Sequence, residues 1–343
     1  MTTLSVSVGI VSWNHRAWLA PCLDALLEQD YPHLDVTVVD NGSHDGSPAW
    51  IADTYADRVK LWPFVENRGF CQAFNWAMKQ THGELILSLN PDVVVRPGFV
   101  AEMVRAMDDD ERIGIVAPKL LMTRDPAYLD STGLFIDRRR RPYDRGQGER
   151  DRGQYDRSPD GNGAGGLPVF GACGGAALYR RTMLLDVSPD GEYFDQSFFA
   201  YYEDADLSWR ARLREWQCVY APRAVATHDR GGGDRLRKQG RAAKDAQGPR
   251  LALRNRYLMT LKNDSPGHFA RDLPLILAAE LPRLVYAALT RPGVLLGLVD
   301  LLRAVPQARR KRRVIQARKT AGDGELRRWF LIPRDRRAEG RGP

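Results

Sequence analysis

The sequence predicts an α/β domain on a mostly parallel sheet, and three observations carry that prediction. Apolar strand-like runs alternate with helical periodicities from residue 5 to residue 116, the pattern of βα units that feed a parallel sheet. The runs end in Asp, Asn, Gly and Ser, the turn chemistry of strand ends. Apolar residues are 43% of the 343-residue chain and charged residues 27%, which supports a packed core.

Val6, Val8 and Ile10 alternate with Ser5, Ser7 and Gly9 and predict a first strand, ended by Ser12-Trp13-Asn14. Leu19, Leu23, Leu26 and Leu27 then recur at helical spacing. Val36–Val39 predicts a second strand, and Ser47 before Pro48 reads as a helix N-cap. Val59–Phe64 is a short third strand, and Phe70, Phe74, Ala77 and Met78 mark the next helix. A strand over Leu85–Leu89, a helix near 97–107 and a strand over Ile113–Val116 complete the series. Residues 137–168, rich in Arg, Asp and Gly with almost no aliphatics, read as a mobile connection. Leu207, Trp209, Arg210 and Leu213 predict a helix opened by Glu203, Asp204 and Asp206. Gln217–Tyr220 and Ala224–Thr227 read as two short strands, the second ending at His228, and 231–249 as another mobile stretch.

The net charge of +8 is concentrated at the end, with 14 Lys/Arg against 4 Asp/Glu from Leu301 onward. The body is therefore slightly acidic, which argues against nucleic-acid binding and for an acidic partner of the tail, such as an anionic membrane face. Residues 273–305 are apolar but interrupted by prolines and charges, so no uninterrupted run approaches the ~20 residues that span a bilayer. Amphipathic helices on a membrane surface, followed by Arg309-Arg310-Lys311-Arg312-Arg313, fit that pattern; the alternative is a helical subdomain packed on the body with a solvated basic tail. Cys22, Cys71, Cys173 and Cys218 stand singly and read as buried free thiols. No basic, apolar leader opens the sequence, so a cytoplasmic location is expected.

The apolar run Leu85–Leu89 breaks at Pro91 and delivers Asp92 at a strand's C-terminal end, where open α/β sheets bind ligands. A lone carboxylate there suits a hard divalent ion that takes other ligands from water and phosphate. Read alone, Asn90-Pro91-Asp92 is equally a turn after a core strand. The chain has no G-x-G-x-x-G after its first strand and no G-x-x-x-x-G-K-[ST], so a dinucleotide cofactor and a P-loop are not expected. Asp40 and Asp45, Asp92, Glu203-Asp204 and His228 all follow strands or open a helix, and are expected to converge on one face of the sheet. Adjacent carboxylates resist simultaneous ionisation, which raises one pKa. The alternatives are an Asx-turn role for Asp40, a strand-end histidine, and helix-start charges at Glu203 and Asp206.

These segments, in this order, resemble inverting glycosyltransferases of family 2. The matching pieces are Val11–Asn14, Val39–Ser43 with Asp45-Gly46-Ser47, Glu66–Phe70, Asn90-Pro91-Asp92, Gly171–Arg181, Phe194-Asp195, Glu203–Leu207 with Arg210, His228 and Arg254-Asn255-Arg256. The resemblance implies a GT-A fold, a Rossmann-like mixed sheet flanked by helices, over residues 1–262, with a helical, basic extension over 263–343. It implies a nucleotide-sugar site with Ser12, Asn14, Asp40, Asp45, Asn67, Gly69 and Asn90, a Mg²⁺ or Mn²⁺ ion on Asp92 and His228, and Asp204 as general base beside Glu203. Asn90 departs from the family's first metal-binding Asp, so its role is reduced to a weak contact. Gly153-Gln154-Tyr155-Asp156 and Tyr201-Tyr202-Glu203-Asp204 point to rhamnosyltransferase-like members that use dTDP-L-rhamnose. The implied acceptor is a glycan or lipid-linked glycan of the cell envelope, reached by an enzyme peripheral on the inner face of the cell membrane, with self-association open. The rivals are a nucleotidyltransferase and a non-catalytic nucleotide-sugar-binding protein.

Overall fold

The structure is a computed structural model and describes residues 3–156, 167–230 and 247–330. Strand β1 (Val6–Ser12) lies parallel between β2 (Leu34–Asp40) and β4 (Leu85–Leu89), and β3 (Lys60–Pro63) extends the sheet beyond β2. Helices α1 (Arg16–Leu27), α2 (Ser47–Tyr55) and α3 (Phe70–Lys79) make the crossovers. After β5 (Val93–Val95) and α4 (Phe99–Asp108) come β6 (Ile113–Met122), β7 (Asp125–Ser131) and the hairpin of β8 (Leu134–Ile136) with β9 (Pro142–Asp144). The later strands are β10 (Leu167–Pro168), β11 (Ala176–Arg180) and β12 (Gln217–His228). Among the described residues the sheet order is β10-β12-β6-β11-β4-β1-β2-β3, with β5 on β12 and β7 on β6. β11 runs antiparallel to β4 and β12 parallel to β6, so the sheet is mixed.

Period-two alternation decides the two cores. Val6, Val8 and Ile10 join Leu85, Leu87 and Leu89 on one face, against Leu19 and Leu23 of α1 and Phe99 and Met103 of α4. Val11 and Ile86 point the other way, toward Phe74 of α3 and Trp209 of α6 (Glu203–Leu213). The four cysteines are free and buried.

Several expectations need correction. The connection after β8 is not a mobile loop over 137–156. Arg140 is buried and bonds Asp264 (2.7 Å) and Asp272 (2.9 Å), and Lys119 holds Asp151 (3.0 Å) and Asp156 (2.7 Å). Ion pairs order this segment where aliphatic burial is missing; residues 157–166 lie outside the described residues. Residues 231–246 also lie outside them, while Gln247–Pro249 open helix α7 (Gln247–Asn263). The two short strands after 217 are one strand, β12, with a register shift between Ala221 and Val225. Ser47 lies inside α2, and Gly46 occupies the cap position.

The C-terminal helices α8 (Pro266–Thr290), α9 (Leu296–Ala317) and α10 (Asp323–Phe330) pack on the body, with Ala308, Ile315, Trp329 and Phe330 in the same core as Trp209. Of the prolines expected to break the apolar segment, Pro274 and Pro282 lie inside α8 and Pro292 just past its end, so one 25-residue helix is long and apolar enough, by length and composition alone, to cross a membrane. Each proline removes a helical hydrogen bond, but α8 is pinned beside them: Asp272 to Arg138 and Arg140, and Glu280 to Arg141 and Arg256. The basic run does not present one surface either. Lys311 is buried between Glu192 and Asp195 (2.7 Å each), and Arg312 donates to the carbonyls of Leu261 (2.7 Å) and Asp264 (2.8 Å). Arg309, Arg310 and Arg313 remain exposed.

Candidate active site

The C-terminal ends of β1 and β2 are in register, Ser12 opposite Asp40. Both side chains are fully buried. Asp40 Oδ1 accepts from the Ser43 amide (2.9 Å), while its Oδ2 and the Ser12 hydroxyl have no protein partner. A buried polar atom without a partner is costly, and a ligand N–H or hydroxyl is what these two oxygens are suited to meet. Asn67 is tied to the residue after Asp40: its Oδ1 accepts from Asn41 Nδ2 (3.0 Å) and from the Gly69 amide (2.9 Å). Gly69 has φ +83°, and a Cβ there would lie 2.5 Å from the Phe199 ring. Asn14 and Asp45 hold loops. Asn14 Oδ1 accepts from the His44 amide (2.9 Å), and Asp45 accepts from the Arg16 (2.9 Å) and Ser47 (3.1 Å) amides.

Two strands meet at the second cluster. β5 pairs antiparallel with the end of β12, His228 opposite Val93, so Asp92 lies one residue from the histidine's partner. His228 Nε2 is 3.5 Å from Asp92 Oδ1, and His228 Nδ1 is 2.8 Å from Asp130 Oδ2. Burial pushes the imidazole down, but the flanking carboxylates Asp130 and Asp92 override it and raise the pKa to about 9. Burial also pushes Asp92 up, but the bond to His228 together with the charges of His228 and His15 more than reverses that. Asn90 is placed by its backbone, whose amide bonds Gly175 O (2.9 Å). Asp92 and His228 fit a divalent ion by donor chemistry. With a metal ion in place of the Nε2 proton and Nδ1 still donating to Asp130, Nε2 would be a ligand beside the Asp92 carboxylate, and substrate oxygens and water would supply the rest. Among the described residues no group of three or more protein ligands surrounds that point, consistent with a substrate-completed site.

The third cluster opens α6. Asp204 Oδ2 accepts from the Gly174 amide (2.8 Å) and Oδ1 from the Ala205 amide (2.7 Å). Glu203 is buried, and its Oε2 has no partner. Burial raises both carboxyl groups, and for Glu203 the charge of Asp204 adds to it. Two amide donors favour the ionised form of Asp204, so the pair is one charged, half-buried base beside a neutral, buried acid. Gly174 and Gly175 join this cluster to the previous one. A Cβ on Gly174 would lie 3.3 Å from Asp204, and one on Gly175 only 2.7 Å from the His228 ring.

Sequence reasoning missed three positions. Asp130, from β7, orients His228 and also pairs with Arg230 (2.6 Å). Arg230 reaches Asp144 as well. Asn255 of α7 donates to the carbonyls of Phe198, Ala200 and Tyr201, holding the turn in which Phe199, Tyr201 and Tyr202 have positive φ just before Glu203. Arg254-Asn255-Arg256 was the available signal for Asn255; Asp130 and Arg230 carry no motif.

Residues 7–187, just over half of the chain, match the family described as Glycosyl transferase family 2. Among curated proteins, the putative glycosyltransferase EpsH of Bacillus subtilis is 28% identical over 139 residues, 40% of this chain and 38% of that protein. The poly-beta-1,6-N-acetyl-D-glucosamine synthase of Staphylococcus epidermidis is 23% identical over 221 residues, 64% of this chain and 48% of that protein. The matches span less than half the length of these relatives. Among solved structures, S. aureus TarS 1-349 in complex with UDP-GlcNAc superposes with a TM-score of 0.55 at 17% identity, over 98% of this chain and 92% of that one. Mannosyltransferase PcManGT from Pyrobaculum calidifontis, in complex with GDP-Man and Mn2+, gives 0.53 at 18% identity, over 98% and 89%. At such identities the likeness shows the fold, and it is the mixed, helix-flanked sheet of the GT-A type expected from the sequence.

Proposed function

The chain belongs to glycosyl transferase family 2, and from that premise we propose that it transfers a sugar, with inversion, from a nucleotide sugar to a hydroxyl of a glycan or lipid-linked acceptor in cell-envelope polysaccharide synthesis. The observation that carries this reading is the Gly174-Gly175 step, which sets a half-buried carboxylate on one side and the Asp92–His228 pair on the other. Asp40 and Ser12 take the nucleoside, and Asn67 and Gly69 shape that pocket. Asp92 and His228 would hold a Mg²⁺ or Mn²⁺ ion, which when bound neutralises the charge of the departing diphosphate. Asp204 accepts the proton of the acceptor hydroxyl as its oxygen attacks the anomeric carbon opposite the leaving group. Burial brings the Asp204 pKa toward working pH, and Glu203 beside it is kept neutral by its own burial and the charge of Asp204.

The finer reading, L-rhamnose from dTDP-L-rhamnose, rests on the resemblance of the segments around Gly153–Asp156 and Tyr201–Asp204. The enzyme then works in the cytoplasm, peripherally on the inner face of the cell membrane, where nucleotide sugar and lipid-linked acceptor meet. A panel of nucleotide sugars with Mg²⁺ or Mn²⁺ tests it. The true sugar donor raises the thermal midpoint, and turnover releases a nucleoside diphosphate. Asp92→Ala is expected to keep the fold, abolish transfer and remove the metal dependence of donor binding. Pyrophosphate as product would indicate a nucleotidyltransferase, and binding without turnover across many acceptors a non-catalytic protein. A stabilising donor other than dTDP-L-rhamnose would end the rhamnosyl reading alone.

A further inference from the structure

Helix α8 is amphipathic in the inverted sense. Asp272, Ile276 and Glu280 are buried against the body, with Asp272 bonded to Arg138 (2.6 Å) and Arg140 (2.9 Å) and Glu280 to Arg141 (2.9 Å), Arg256 (2.8 Å) and Tyr257 (2.8 Å). At 3.6 residues per turn, a row at 277, 281, 285 and 289 lies on the opposite side of the helix. That row is Leu277, Leu281, Val285 and Leu289, and it is 45–80% exposed. Past the helix end Leu296 and Leu302 continue the exposed apolar surface. A helix on a water-soluble surface normally turns its carboxylates outward and its leucines inward; here the polar groups serve as anchors and the apolar face is left outside. Contiguous apolar exposure of this kind marks an interaction site.

We infer that this face of α8 and the start of α9 rests on an anionic lipid bilayer, with α8 lying in the interface rather than crossing it. The inference deepens the proposed function, since it rests on a membrane-held acceptor. Charge selects the occupant. Between 266 and 317 the acidic side chains are Asp272, Glu280 and Asp300, and all three are ion-paired, Asp300 with Arg250 (2.5 Å). Arg291, Arg303 and Arg310 remain exposed around and beyond the turn from α8 to α9. Arg303 (3.8 Å from Asp300) and Arg310 (3.6 Å from Asp190) have only long, solvent-exposed ion pairs, which contribute little, and an apolar face bordered by such exposed arginines suits acyl chains below anionic headgroups. A second copy of the chain would bring like charges together across a two-fold axis. The anchors select the orientation: a spanning helix would have to strip Asp272 and Glu280 from four arginines of the body.

The test compares the full chain with Leu281→Ser/Val285→Ser/Leu289→Ser, three exposed positions whose change leaves the core untouched. Sedimentation is measured with vesicles of phosphatidylcholine, with and without phosphatidylglycerol. The wild type should bind the anionic vesicles, more weakly as salt rises, and detach at alkaline pH. The triple variant should bind at least about tenfold more weakly, because interfacial binding scales with buried apolar area, while its thermal midpoint and its transfer to a water-soluble acceptor analogue match the wild type. Equal vesicle binding by the two proteins overturns the inference. So does a dimer in solution that the triple variant abolishes, or resistance to alkaline extraction, which would mean a spanning helix. Transfer to the soluble analogue reports separately on the glycosyltransferase reading: failure there in both proteins would sink that reading and leave the vesicle comparison to decide this one.

Discussion

The side of the site proposed to take the nucleoside and the side proposed to carry the base are held by different forces. Ser12 and Asp40 end strands that pack mainly through buried aliphatic residues, and the Asn67 loop adds a few short hydrogen bonds. The base side is a polar construction. Asn255 and Arg254 hold the carbonyls of the left-handed turn before Glu203, and Lys262 lies buried between Asp195 and Asp206 (2.9 Å to the latter). Lys311 of α9 adds a second cation on Asp195. Hydrophobic burial is non-directional and tolerates small errors; buried ion pairs tolerate none, because a lost partner leaves a charge in a low dielectric. The difference teaches that the proposed binding half of the site is set by the sheet, and its proposed chemical half by polar side chains of α7 and α9.

The largest expected effect separates the two sides most directly. Asp204→Asn keeps shape but cannot take a proton, so the transfer rate should fall by about 10²–10⁴-fold with sugar-donor affinity nearly unchanged, the pattern of an interaction made only in the transition state. A matching loss of donor affinity would mean that the sides are not independent. Because the Asp204 pKa is raised to about 6 by burial, the base is lost as pH falls through that value, and the wild-type rate should drop there rather than near pH 4.

Next comes stability. Lys262→Met should destabilise by about 3–5 kcal/mol in denaturant unfolding, since it removes one partner of a buried pair. Leu87→Ala in β4 should cost about 2–5 kcal/mol by cavity formation. The two differ in pH dependence. Burial pushes Asp195 up, but Lys262 and Lys311 hold it well below the usual carboxylate range. Its contribution is therefore present above the unfolded pKa of about 3.9 and lost as pH falls from there toward the folded value. The Lys262→Met deficit should shrink in acid, while the Leu87→Ala deficit should not; parallel losses would contradict the comparison.

The smallest effect sharpens the seam between the halves. Asp130→Asn should weaken Mn²⁺ binding, read by electron paramagnetic resonance with nucleoside diphosphate present, by about 10–100-fold, the usual consequence of losing a ligand's orienting partner. Unchanged affinity would show that Asp130 does not set the His228 tautomer.

Legibility in the sequence follows the same division. The strands β1, β2 and β4 were readable because aliphatic residues at period two announce burial, and with them the placement of Asp40 at the end of β2 and of Asp92 just after β4; His228 was readable as the end of a later strand, β12. The segment 137–156 was not, because a run of Arg and Asp looks the same whether solvated or folded into pairs. Lys311 illustrates the point: inside a basic run it reads as surface charge, and only the position of Asp195, over a hundred residues away, turns it inward. Pro274 and Pro282 misled for a related reason, since local helix-breaking was outweighed by anchors that no local rule reveals.

Gly174 and Gly175 also act as a gauge block. The residue on which the base leans and the residue against which the metal-side histidine rests are covalent neighbours, with no side chain between them. Consecutive Cα atoms across a trans peptide are about 3.8 Å apart, and that spacing does not respond to rotamers or packing. One peptide unit thus links the backbone contact of Asp204 to that of His228, and in the proposed mechanism it would hold the proton acceptor and the metal-side histidine at a short, narrowly varying interval.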